Sequence, residues 1–166
     1  MLGVLNLAAD KAGWGSPLPA GVGRGVSVQY AMGSYLSQIA EVEVSKDGEV
    51  RVRRVVCAVD CGQIVNPDTI VAQMEGGIIF GISAVLWGEI TLKHGRVEQH
   101  NFNDYRVLRI NEAPHIEVYL VKNAEAPGGI GEPGTIGIAP AMTNAVFALT
   151  GKRIRKLPIK DQLRLA

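Results

Sequence analysis

Apolar and polar residues alternate from Gln38 to Val44, with Ala40, Val42 and Val44 on one side and Glu41 and Glu43 on the other. A period of two is the pattern of a half-buried strand. Lys46, Asp47 and Gly48 turn the chain, and Glu49 to Val59 returns, alternating at first and then continuously apolar. That is the pattern of a hairpin strand whose far end runs into a core. Val26 to Leu36 is apolar around Gly33 and predicts one strand interrupted by a bulge or a close backbone contact. Glu89 to Gln99 predicts a second hairpin turning at His94 and Gly95, and His115 to Val121 a strand with Ile116, Val118 and Leu120 inward. Helical spacing replaces alternation after Asn66 and Pro67, which suit an N-cap and a first helical residue, and the helix carries Ile70, Val71, Met74 and Ile78 on one side. A second helix is predicted from Pro140 to a stop at Gly151, followed by a last strand, RIRKLPI. The first 24 residues, ending in GWGSPLPAGVGRG, read as irregular, leaving residues 25–166 as one domain. Hairpins alternating with two main helices predict an α+β fold on a mixed sheet.

Two glycine clusters change this picture. The first predicted helix contains Gly76, Gly77 and Gly81, each costing about 1 kcal/mol relative to alanine. Something must approach that face closely, either another helix or a flat, bulky ligand. Gln73 stands beside it with an amide that can both donate and accept; a glutamine satisfied by backbone is the competing account. The second cluster is PGGIGEPGTIG, residues 127–137. Its glycines permit positive φ or close approach to a ligand, while Pro127 and Pro133 stiffen the path, so the segment is expected to form a rigid cradle. Glu132 is its one ionisable side chain. Held against Ile130, Ile136, Ile138 and a ligand it is a candidate general base; on residue types alone, a solvated glutamate on a surface turn is equally open.

Composition narrows the classes of function. Seventeen basic residues against sixteen acidic ones give a net charge of +1, and aromatic residues make up 5%, so nucleic acid is not an expected partner. The longest apolar stretch, Gly76 to Gly88, falls short of the roughly 20 residues of a membrane span. The start lacks a basic region ahead of its apolar part and carries Asp10, which argues against a secretory signal. Cys57 and Cys61 lie about 13 Å apart if both sit on one extended strand, too far for a disulfide. Without further Cys or His at ligand spacing they are expected as buried thiols, and no protein-held metal is expected.

Three stretches taken in order, VVCAVDCGQIVNPDTIVAQMEGG, NFNDYRVLRINEAPHIEV and GGIGEPGTIGIAPAMTNAVFALTGKRIRKLPI, resemble the C-terminal end of the molybdenum hydroxylases. This is the xanthine oxidase and aldehyde oxidase family, and the likeness is to large subunits of the isoquinoline 1-oxidoreductase beta type. It extends from Gly23 to about Ile159. The resemblance implies the C-terminal piece of a molybdopterin-binding domain, with Glu132 as the catalytic base beside molybdenum. It also implies that Gln73, Gly76, Gly77, Gly129 and Gly131 face a molybdopterin cofactor, expected in its cytosine dinucleotide form. The implied partners are the remainder of the large subunit, a small subunit carrying iron–sulfur clusters, and an N-heteroaromatic or aldehyde substrate. Tyr105 and Arg106 are further candidates near the site, with structural roles equally open. Family large subunits are several times longer, so an isolated chain of this length is expected to be inactive. The compartment, cytoplasmic or periplasmic, is left open. From a different class, a non-catalytic module in which the glycine loop cradles an anion at a helix N-terminus is the alternative expectation.

Overall fold

The computed structural model describes residues 1–163. Its elements run α1 (Leu2–Lys11), β1 (Val22–Ala31), β2 (Ser34–Val44), β3 (Val50–Asp60), α2 (Pro67–Trp87), β4 (Leu92–Lys93), β5 (Arg96–Val97), β6 (His115–Leu120) and α3 (Pro133–Thr150). The main sheet has the order β1-β2-β3-β6, antiparallel except for the parallel β3–β6 pair. The fold is thus α+β on a mixed sheet. The α2 and α3 helices cover one face over a core that includes Leu36, Ala40, Val55, Met74, Ile78 and Met142. The other face carries α1, seated on Ile39, Val56 and Ala58 through Val4, Ala8 and Ala12.

Four elements differ from the sequence expectations. Residues 1–24 are not irregular: they contain α1 and the start of β1. Ten residues are too few for a stable isolated helix, and tertiary contacts supply what is missing. Arg24 donates to the Gly13 carbonyl at 2.8 Å and Arg54 to the Lys11 carbonyl at 3.2 Å, clamping the C-terminal end of α1. The same two guanidiniums belong to an ionic ladder across the sheet. Arg24 meets Glu41 at 2.7 Å, Arg54 meets Glu41 at 3.6 Å, and Arg54 meets Glu117 at 2.7 Å.

The stretch from Val26 to Leu36 is a hairpin rather than one interrupted strand. Met32 (φ 55°) and Gly33 (φ 82°) both adopt positive φ between the paired Ala31 and Ser34, the geometry of a tight two-residue turn. Methionine is an unusual occupant of that conformation, which hid the turn. The last helix begins at Pro133 and carries Pro140 inside it, ending at Gly151 (φ 72°) as expected. RIRKLPI forms no strand. Ile154 and Ile159 are buried in the core instead, and the amides of Ile159 and Lys160 bond the Val85 and Leu86 carbonyls, satisfying the end of α2.

The α2 helix spans Pro67–Trp87 with Asn66 as N-cap, its side chain accepting from the amides of Asp68 and Thr69. At 21 residues and mean hydropathy 1.6 it is long and apolar enough to cross a bilayer, more so than the apolar stretch at Gly76 suggested. Its Ile70, Met74, Ile78, Ile82 and Leu86 stripe lies in the core, as in a buried helix of a folded domain.

Candidate active site

The glycines of the loop and helix 127–137 do not use positive φ; each stays on the ordinary side of the backbone map. Their smallness serves close approach instead. A Cβ on Gly128 would lie 2.5 Å from Ser34 Oγ and 2.6 Å from the Gly33 carbonyl, and one on Gly137 2.7 Å from Gln29 Oε1. A Cβ on Gly134 would lie 3.1 Å from the Met74 carbonyl. Most of the cluster therefore mounts α3 and its preceding loop on the scaffold.

That mounting is rigid. Gly128 N donates to Cys61 O at 2.8 Å and Gly129 N to Met32 O at 2.6 Å, while Ser34 Oγ donates to Gly129 O at 2.8 Å. Asp60 fastens the neighbouring segment through the Asn123 side chain and the Gly62 amide. Both backbone groups of Gly129 are thus tied to the hairpin turn, although the residue itself is exposed.

Glu132 is the N-cap of α3, with no side-chain capping bond. It is exposed, and among the described residues its carboxylate has no hydrogen bond or ion pair. The expected apolar surround is only partly present. Ile138 is fully buried in the core, Ile130 packs against that core, and Ile136 is 48% exposed. Six residues of helix separate Ile138 from Glu132, and that rotation aims it inward. Negative charge at the start of an 18-residue helix is favoured by the helix dipole.

Gln73 comes to the same place from α2. It is exposed, and its Nε2 donates to Gly131 O at 3.3 Å. Gly76, one turn further along α2, opens outward, since a Cβ there would meet nothing within 4 Å. Gly77 differs: α3 lies beside it, and a Cβ on Gly77 would lie 3.3 Å from both Thr135 N and Thr135 Oγ1. Gly81 likewise faces Thr135 and Ile138. The close neighbour of these two glycines is another helix, while Gly76 opens to solvent. Tyr105 and Arg106 are not here. Arg106 stacks 3.9 Å over the Trp87 ring and pairs with Glu112 at 2.6 Å, at the other end of α2, roughly 21 Å along its axis from Gln73. A cleft of about 460 Å³ lies at that far end, lined by Val52, Ile82, Leu86, Trp87 and Arg106 among others.

The candidate site thus has the Gln73 amide seated on the loop at Gly131, the exposed Glu132 next in sequence, and Gly76 open one turn along α2. No group of three or more His, Cys, Asp or Glu that could hold a metal ion occurs among the described residues. Cys57 and Cys61 are free and buried, and burial pushes the Cys57 thiol up to about 12. A flat, organically held cofactor suits this donor set; a bare ion does not. Sequence reasoning missed Ser27, Gln29, Ser34 and Gln38, polar residues on the helix-covered face of the hairpin. Their signal was polar residues within an otherwise apolar run.

Comparison with known proteins bears on this geometry. The profile of the molybdopterin cofactor-binding domain family matches residues 8–114. Isoquinoline 1-oxidoreductase subunit beta of Brevundimonas diminuta is 35% identical over 164 residues, 96% of this chain and 21% of that protein. A protein of Gluconacetobacter polyoxogenes named membrane-bound aldehyde dehydrogenase [pyrroloquinoline-quinone] is 32% identical over 169 residues, 97% of this chain and 22% of that one. Among solved structures, quinoline 2-oxidoreductase from Pseudomonas putida 86 superposes with a TM-score of 0.71 at 23% identity, over 78% of this chain and 18% of that one. The chain belongs to the molybdopterin cofactor-binding domain family of the molybdenum hydroxylases. It spans about a fifth of the length of the curated relatives it matches, and the family profile ends before the Glu132 loop, which the longer pairwise matches include.

Proposed function

We propose that this chain supplies the base-bearing end of the large subunit of a molybdenum hydroxylase acting on an N-heteroaromatic or aldehyde substrate. The observation that supports the reading is the Gln73 amide donating to the Gly131 carbonyl, which brings α2 against the loop beside Glu132, a residue without a hydrogen bond or ion pair among the described residues. When bound, the molybdenum–pterin group supplies the redox chemistry, oxidation of an electron-poor carbon with oxygen from water. Glu132 accepts the proton at its carboxylate. Gln73 orients the pterin by hydrogen bonding, and Gly76 and Gly131 let it approach the backbone. The cofactor is taken in its cytosine dinucleotide form, and iron–sulfur clusters on a separate small subunit carry the electrons away. The rest of the large subunit closes the face and excludes water, so the chain alone binds no molybdopterin and turns over nothing.

The test is Glu132→Gln in the assembled enzyme. Turnover of isoquinoline or an aldehyde with a dye acceptor is expected to fall at least a thousandfold with molybdenum content unchanged; retained turnover overturns the assignment. Metal analysis of the purified chain checks the second statement, since stoichiometric molybdenum there contradicts it. An anion-binding module is disfavoured, because Glu132 places negative charge at the mouth of α3.

A further inference from the structure

The face of β1 and β2 beneath α3 should need only apolar side chains, yet it carries Ser27, Gln29 and Gln38. All three donate to main-chain carbonyls of α3. Gln29 Nε2 reaches Pro133 O at 2.9 Å, Gln38 Nε2 reaches Gly134 O at 2.9 Å, and Ser27 Oγ reaches Gly137 O at 2.7 Å. These acceptors lie in the first five residues of the helix, directly after Glu132. Pro140 lies just beyond and brings no N–H, so the Ile136 carbonyl loses its usual helical donor and the ladder is weakest in this stretch.

Gln38 is fully buried; its Oε1 accepts no hydrogen bond, and besides α3 its amide meets the Cys57 thiol on the paired strand. An unsatisfied buried acceptor is costly, and an apolar residue of the same shape would avoid the cost. The amide cannot relieve it by turning over, since that would set Oε1 against the Gly134 carbonyl, acceptor against acceptor. What the amide supplies is register. At β1 the α3 backbone rests almost directly on the strand: a Cβ on Gly25 would lie 2.2 Å from Ala145 N and 2.3 Å from Ala141 O. A contact made of backbone and small residues offers few knobs to stop a helix turning or sliding. Directional hydrogen bonds to its first carbonyls do.

We propose that Gln38 and Gln29, assisted by Ser27, are positioning residues that set the azimuth of the first turns of α3 and with it the location of Glu132. The catalytic part of this statement rests on Glu132 being the base; the structural part does not. Two variants of the full chain, Gln38→Met and Gln29→Met, test it by amide hydrogen exchange, the second covering the case in which the buried substitution does not fold. Exchange at Gly137 and Ile138 is expected to quicken about tenfold, with Val146 and Phe147 changing less than twofold. Unchanged exchange at the first turns, or an equal rise along all of α3, overturns the proposal. In the assembled enzyme the same variants are expected to lower kcat about tenfold with KM and molybdenum content unchanged. If Glu132→Gln abolishes turnover while both glutamine variants keep full kcat, positioning is refuted and the base stands. If Glu132→Gln is harmless, the base reading fails and the exchange data alone decide the structural claim.

Discussion

Placing a methyl group at Gly25 and at Gly76 tests the two surfaces on which the site depends. At Gly25 the new Cβ would sit 2.2 Å from Ala145 N, 2.3 Å from Ala141 O and 2.7 Å from Asn144 C. All three atoms are α3 backbone, so none can swing aside as a side-chain tip could. The helix must retreat by about 1 Å to restore ordinary contact, an overpacking cost of roughly 1–3 kcal/mol. Retreat also stretches the bonds from Ser27, Gln29 and Gln38 to α3 and from Asn144 to the Val26 carbonyl, each worth about 0.5–1.5 kcal/mol. Gly25→Ala is therefore expected to cost on the order of 3–5 kcal/mol, a large share of a typical domain's stability. At Gly76, also helical, the methyl group meets nothing within 4 Å, and Gly76→Ala is expected to stabilise the chain by about 0.5–1 kcal/mol. Urea unfolding followed by far-ultraviolet circular dichroism measures both. A loss below about 1 kcal/mol for Gly25→Ala would refute the account of α3 resting directly on β1. Destabilisation by Gly76→Ala would show that α2 is already covered there. In the assembled enzyme the sign should reverse in consequence: Gly76→Ala keeps the fold and lowers molybdenum content, because it fills the clearance assigned to the pterin.

Other expectations are simpler. Asn66→Ala removes the acceptor for the Asp68 and Thr69 amides, at 3.0 and 3.3 Å, and should cost about 1 kcal/mol in the same unfolding assay. The Arg54 guanidinium holds the Glu117 carboxyl below its usual range. Its contribution is therefore present above the ordinary glutamate range, about 4.3, and is lost as pH falls through the lower folded value. Urea midpoints measured from neutral pH downward should fall less steeply for Glu117→Gln than for the parent. The Asp104 carboxyl, held by the Asn101 and His100 amides and the His100 ring, is depressed to about 2. An NMR titration should find it ionised throughout the range in which an ordinary aspartate protonates. Cys57 and Cys61 should resist a thiol reagent in the native chain and both react after unfolding, a result that early labelling at either position would contradict.

Much of the architecture was legible from local pattern. The alternation over Gln38–Val44 and Glu49–Val59, the Lys46–Gly48 turn, the Asn66–Pro67 helix start and the Gly151 stop each express a rule that acts within a few residues. Glu132 and Gln73 were equally legible as candidates, because a carboxylate in a glycine–proline run and an amide on a glycine-faced helix are chemical signals in themselves. Tertiary structure decided what those glycines face. Gly77 and Gly81 make room for α3, Gly128 and Gly137 for the β1–β2 hairpin, Gly131 meets the Gln73 amide, and Gly76 stays open, since missing side chains do not say which neighbour fills the space. It also decided that residues 2–11 are helical, through arginines 11 and 43 positions further along the chain that clamp Gly13 and Lys11, and that Gln38 spends a buried amide on α3 from 96 residues away. Contacts of that sequence separation form only when the chain is folded, and no window of local sequence carries them.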